Sequence, residues 1–266
     1  MTGGHAAGRH TDRHAGGGRS VLRSPETDQA DRTGHDHPFD QWRRRPSDHP
    51  RHPLIPSVHA SGQSVTQARQ VLDGGADIVV AQGSEAGGHG GGRSTFPLVP
   101  AVADLAARSG RKVLVVAAGG IADGRGLAAT LMLGADGALI GTRFLASTES
   151  LIAPTAKARV VSASGDDTLR TKVFDIARGY DWPDEYSGRA LVNRFSKTWH
   201  GREDALIAAG PDERRRYAAA AAAGDVDTAL VFAGEGVDLI HDIEPAGVIL
   251  NRIVTEAESA LAQQFD

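Results

Sequence analysis

The chain has 266 residues, 40% of them apolar, with 33 acidic and 29 basic side chains for a net charge of -4. That length suffices for one large domain with a real core, and the near-balance of charge excludes nucleic acid or an anionic membrane as principal partner, leaving a small molecule. With no cysteine there are no disulfides, thiolate metal sites or thiol nucleophiles, and no apolar run approaches the roughly 20 residues that span a bilayer, so a cytoplasmic protein is the expectation.

Residues 1–53 hold seven of the eleven histidines and nine arginines among Gly, Asp, Pro and Ser, with no sustained period of two or 3.6. A disordered, low-complexity tail is expected there, and the first domain boundary falls after Pro53. Its histidines, His5, His10, His14, His35, His37, His49 and His52, share no helical face and meet no acidic or cysteine partner. No metal site is therefore expected. The Arg43-Arg44-Arg45 run reads as part of a solvated tail.

From residue 54 to 266 short apolar runs alternate with longer segments of helical spacing. A strand is predicted over 54–60, a helix over 64–73 with Val65, Ala68, Val71 and Leu72 inward, and a stop at Gly74-Gly75. There follow a strand over 78–81, a helix over 98–108, a strand over 113–117, a helix over 125–133 and a strand over 137–140. These are consecutive βαβ units of a parallel sheet, hence an α/β fold. Beyond Phe144 the pattern turns mostly helical, with candidates over 153–162, 188–199, 201–209, 211–223 and 245–264.

Three glycine-rich turns follow three successive strands, at the strand ends where parallel α/β folds build their sites. They are Ala81 to Gly92, Ala118 to Gly124, and Gly141-Thr142-Arg143-Phe144. Backbone amides freed by glycine can approach phosphate oxygens, and two such turns separated by one helix and strand match the phosphate site of a (β/α)8 barrel. Glycines that merely close tight turns are the plainer alternative. His89 is the one histidine after the tail that lies in such a loop, unlike His59, His200 and His241. It is the acid or base candidate, with Glu85 in reach to orient it; a solvated loop histidine is the alternative. Asp123 reads as a helix cap rather than a reacting group, and Arg143 as solvated rather than covering the phosphate.

The string AQGSEAGGHGG from Ala81, followed by VLVVAAGGIADGRGLAATLMLGADGALIGTRFLAS from Val113, resembles the core of the nitronate monooxygenases and the related flavin-dependent enoyl-acyl-carrier-protein reductases. GRALVNRF from Gly188 and AGEGVDLI from Ala233 are similar to the former. The joint match is far more specific than any single glycine motif.

The resemblance implies a TIM-type (β/α) barrel holding FMN. Its phosphate would lie at Gly119, Gly120, Gly141 and Thr142, with Gln82, Gly87 and Gly88 lining the flavin and His89 as catalytic histidine. It implies oxidation of nitronates or nitroalkanes by dioxygen to a carbonyl compound and nitrite, without a metal. The alternatives are an enoyl reductase, an inactive remnant, or a non-flavin barrel that holds a phosphorylated substrate.

About four strands are predicted where a barrel has eight. The expectation is thus a barrel truncated to its C-terminal half, with extra C-terminal helices and a tail that arises from a shifted frame or wrong start. Its open edges favour pairing of two copies.

Overall fold

A computed structural model describes residues 59–262. The expectations for residues 1–53, including the tail's disorder, its histidines and the domain boundary, lie outside the described residues, as does most of the strand predicted over 54–60.

Strand β1 (His59–Gly62) leads into helix α1 (Val65–Asp73), which starts where the Gln67 backbone N–H donates to the Ser64 hydroxyl at 3.1 Å. Ala68 and Leu72 of α1 are buried, Val65 and Val71 partly so, and the helix ends at Gly74-Gly75, where Gly75 takes φ 89°. Strand β2 (Ile78–Gln82) buries Val79 and Ala81. A loop carrying the three-residue strand β3 (Gly88–Gly90) enters helix α2 (Thr95–Ala107), which buries Leu98, Val99, Val102, Leu105 and Ala106 along one stripe. Strand β4 (Leu114–Ala118), helix α3 (Gly124–Met132) and strand β5 (Gly137–Leu139) complete the alternation.

The strands form a parallel sheet in the order β1-β2-β4-β5, as the βαβ pattern requires. Register decides what this sheet can do. Gln82 stands opposite Ala118, and Ala118 opposite Leu139, so three strands end level and their following turns meet at one end of the sheet. Beneath them the side chains of α1 and α2 pack with Val79, Ala81, Val115 and Ala117 in one core. Each fully buried Val or Leu there contributes about 1.5–3 kcal/mol. The turn into β5 is tied to β4 by Asp136, whose carboxylate accepts the Val115 N–H at 2.8 Å. Among the described residues the sheet does not close on itself.

The C-terminal part holds helices α4 (Thr142–Leu145) and α5 (Pro154–Val161), strand β6 (Thr168–Thr171), helix α6 (Val173–Arg178) and strand β7 (Ser187–Leu191). Helices α7 (Arg194–Trp199), α8 (Glu203–Ala222) and α9 (Ala246–Ala262) follow. The split predicted between 209 and 211 is a kink in α8 at Gly210, with φ 65° and ψ -150°. Ile249, Ile253 and Ala257 of α9 are buried, and α9 packs so closely on α3 that a Cβ at Gly124 would lie 2.5 Å from the Ala257 nitrogen.

Two expectations are corrected here. The helix over 188–199 is in fact β7 followed by α7, because Ala190 and Leu191 turn inward and Asn193 caps a new helix by accepting the Ser196 N–H at 2.9 Å. The helical region also contains a second sheet, antiparallel, in the order β3-β7-β6. Its strands are short and partly glycine, so pairing partners decide them rather than local preference.

Candidate active site

The three glycine turns converge. Gln82, Gly87, Gly88, Gly119, Gly120, Gly141 and Thr142 all line one cleft of about 280 Å³, together with Ala118, Ile121 and Phe232. Gly119 and Gly120 turn the chain after β4 with φ 109° and 72°, a region that side-chain-bearing residues rarely adopt. Gly119 is also crowded, since a Cβ there would come within 2.8 Å of the Thr95 hydroxyl. Gly88 and Gly141 differ: an added Cβ at either would meet no protein atom within 4 Å. Those two glycines therefore leave open space in the cleft wall. Thr142 opens α4, and its hydroxyl accepts the Gly234 N–H at 2.9 Å, which locks the third turn to the segment before the 3-10 turn Glu235–Leu239.

His89 sits in β3, directly after Gly88, and opposite Gly188 of β7. Its imidazole is mostly buried. The Nε2 atom lies 2.8 Å from Asp175 Oδ2, and the other carboxylate oxygen accepts from Arg178 at 2.6 Å. Trp182 stacks on the ring at 3.7 Å between centroids with planes 9° apart, while Phe232 meets it edge-on at 5.4 Å. Phe232 also lines the glycine cleft, so one aromatic ring meets both the histidine and the cleft. The histidine's backbone carbonyl accepts from the Gln82 amide at 2.7 Å.

Glu85 does not orient His89, contrary to the sequence-based expectation. Its carboxylate instead accepts the Thr95 N–H at 2.9 Å and the Thr95 hydroxyl at 2.8 Å, capping α2 from the loop. Two arginines hold the same loop. Arg170 donates to the carbonyls of Gly90 and Ser84, and Arg189 donates to Ser84 at 2.9 Å while pairing with Glu235 at 2.7 Å. Burial, then the neighbouring Arg189 charge, lowers the pKa of Arg170, with Glu235 opposing. The loop is thus fastened at both flanks.

Asp123 caps α3, its carboxylate accepting the Gly126 N–H at 3.0 Å, as expected. Arg143 is not solvated. It is buried, ion-paired with Asp242, and donates to the Ala146 and Asp242 carbonyls. It belongs to a second, larger cleft of about 560 Å³ against α3 and α9, which His241 also lines. There Arg125, Arg143 and Arg252 are all paired with aspartates. His200 bonds to the Thr171 hydroxyl at 3.2 Å.

Asp175, Arg178, Trp182 and Phe232 escape sequence reasoning because no motif or period surrounds them. Only the proximity of residue 232 to the AGEGVDLI string offered a signal. Among the described residues no group of three or more His, Asp or Glu could hold a metal, and no helix is long and apolar enough to cross a membrane.

The family model for nitronate monooxygenase matches residues 51–256. A nitronate monooxygenase of Neurospora crassa is 36% identical over 225 residues, covering 78% of this chain and 57% of that protein. Nitronate monooxygenase npaC of Metarhizium robertsii is 38% identical over 194 residues, covering 70% and 53%. Among solved structures, FabK from Thermotoga maritima superposes with a TM-score of 0.63 at 33% identity, over 77% of this chain and 61% of that one. A nitroalkane oxidase from Streptomyces ansochromogenes gives 0.61 at 32% identity, over 77% and 59%. The chain thus spans little more than half the length of the curated relatives it matches. With the matched segment running through all three glycine turns, His89 and Asp175, the chain belongs to the nitronate monooxygenase family, a family of oxidoreductases.

Proposed function

We propose that this chain carries the FMN-binding and proton-transferring half of a TIM-type (β/α) barrel. In this reading it serves the oxidation of nitronates and nitroalkanes by dioxygen to a carbonyl compound and nitrite. The observation that carries the reading is the convergence of seven residues from three separate turns on one cleft.

The residues fit the phosphate-bearing end of FMN. Gly119 and Gly120 turn the backbone at positive φ, where glycine lets a ligand approach the main chain closely, and Gly141 leaves room for a ligand oxygen where any side chain would stand. The cleft's volume of about 280 Å³ lies at the low end of ligand pockets. Gln82, Gly87 and Gly88 would border the ring. When bound, FMN would accept electrons from the substrate and deliver them to dioxygen.

The protein's own chemistry is proton handling. A nitroalkane has an acidic C–H beside the nitro group, and an imidazole in its neutral form can take that proton. His89 is held by Asp175, Trp182, Phe232 and the β3–β7 ladder, so its ring is fixed before substrate arrives. The names of the similar Neurospora and Streptomyces proteins support a nitronate or nitroalkane substrate.

The test is the visible spectrum of the purified chain, with any flavin released by denaturation and compared with FMN. Stoichiometric FMN together with oxygen uptake on adding a nitronate is expected. A colourless chain that cannot be reconstituted refutes the cofactor. Steady NADPH consumption with an enoyl thioester, and no oxygen uptake with nitronate, refutes the substrate.

A further inference from the structure

We infer that Asp175 is a positioning residue that fixes His89 as the Nε2–H tautomer, so that Nδ1 is the nitrogen that takes the substrate's proton. The second clause rests on the proposed nitroalkane chemistry, whereas the first does not.

Both oxygens of Asp175 are engaged. Oδ2 faces His89 Nε2 at 2.8 Å, and Oδ1 accepts from the Arg178 guanidinium at 2.6 Å. Arginine stays charged in proteins, and a carboxylate beside it acts only as an acceptor. The hydrogen on the His89–Asp175 line therefore belongs to Nε2, and a neutral imidazole then carries its lone pair on Nδ1.

The ring has no freedom to exchange these roles by turning over. Trp182 covers one face at 3.7 Å, and Phe232 abuts it edge-on at 5.4 Å. On the Nε2 side stands Gly188 of the facing strand, paired with His89, and a Cβ added there would lie 3.6 Å from Nε2. A buried carboxylate serving stability alone is a poor arrangement, because ion pairs removed from water commonly gain no more than well-packed apolar groups. Asp175 is buried, and it lies 86 residues from the histidine it contacts. Placement of that kind orients a base, as carboxylates do for histidines elsewhere.

The step balances as follows. The substrate's C–H bond breaks, its proton moves to Nδ1, and the electron pair enters the C–N bond to give the nitronate. The ring becomes imidazolium, retaining its Nε2–H on Asp175, whose negative charge stabilises it.

The tautomer is read directly by long-range 1H–15N correlation on the full chain labelled with 15N-histidine near pH 8, His89 being assigned by its loss in His89→Asn. A neutral ring protonated at Nε2 is expected. In Asp175→Asn the signals should become those of a mixed tautomer, with kcat/KM for neutral nitroalkane falling about 10²- to 10⁴-fold. Preformed nitronate should lose under about tenfold, and Asp175→Glu should recover part of the nitroalkane loss. An Nδ1–H tautomer or a doubly protonated ring in the unaltered chain overturns the inference, even if Asp175→Asn does not fold. So does an unchanged tautomer in Asp175→Asn. If the Nε2–H tautomer is found but no nitroalkane is turned over, the proposed function fails while the role of Asp175 in fixing the ring stands.

Discussion

Replacing Gly141 by alanine separates ligand binding from folding. The residue lies at φ -99° and ψ -70°, which an L-residue can adopt, and its new methyl would meet no protein atom within 4 Å. Loss of glycine's freedom in the unfolded chain should then stabilise the fold by about 0.4–1 kcal/mol. Thermal unfolding should move up by about 1–4 °C. The same methyl stands in the wall of the glycine cleft, where, under the proposed placement of FMN, it would displace one phosphate oxygen from its donors. Loss of one charge-assisted hydrogen bond costs about 1.5–3 kcal/mol, or about 10- to 150-fold in Kd. Titration of the apo chain with FMN by fluorescence quenching measures this, beside calorimetry of the same samples. Gly83→Ala is the contrast, because its Cβ would fall 2.0 Å from the Thr95 hydroxyl and must damage the fold itself. An unchanged FMN affinity in a stabilised Gly141→Ala chain would refute the placement of phosphate at this wall.

His89→Asn should keep FMN binding while lowering turnover of neutral nitroalkane more than that of preformed nitronate, since only the former needs proton abstraction; equal losses in steady-state kinetics contradict that role. Glu85→Ala should cost about 1–2 kcal/mol in urea unfolding, because the Thr95 N–H and hydroxyl lose the carboxylate that caps α2. The Arg252 hydrogen bond, aided by the charges of Arg143 and Arg252 and opposed by burial, holds the Asp242 carboxyl below its ordinary 3.8. A depressed folded value gives stability that is present above about pH 4 and lost as pH falls through that folded value. Asp242→Asn should therefore destabilise the chain at neutral pH, with the deficit shrinking in acid; a deficit independent of pH contradicts the account.

The parallel sheet was legible in the sequence over β2, β4 and β5, whose apolar runs alternate with helices that show an inward stripe, as at Ala68 and Leu72, whereas β1 at His59–Gly62 overlaps the strand predicted over 54–60 only at its end. The cleft was legible for a related reason: glycines placed after three strands must come together once the strands align, and the Gln82, Ala118 and Leu139 row aligns them. The small sheet was not. Thr168 to Thr171 is too short and polar to show a period, and Gly88 to Gly90 contradicts strand preference, so long-range pairing alone defines both. Asp175 was invisible for the same reason, since its meaning comes from a contact 86 residues away. Glu85 was misjudged because its nearness in sequence suggested His89, whereas it binds Thr95, and Arg143 because an arginine in a loop is ordinarily solvated, whereas here it is buried against Asp242.

The ladder that joins residues 88–90 to residues 187–189 also bears on the order in which this chain matures. The parallel strands lie between His59 and Leu139, each next to a near neighbour in sequence, whereas His89 waits for partners made a hundred residues later. Contacts of short separation form early, and domains take shape as the chain leaves the ribosome. A nascent chain therefore forms its parallel sheet first and fixes the ring of His89 only after residues 175 to 232 have been made. The early sheet and the late setting of the histidine are joined by a single strand of three residues.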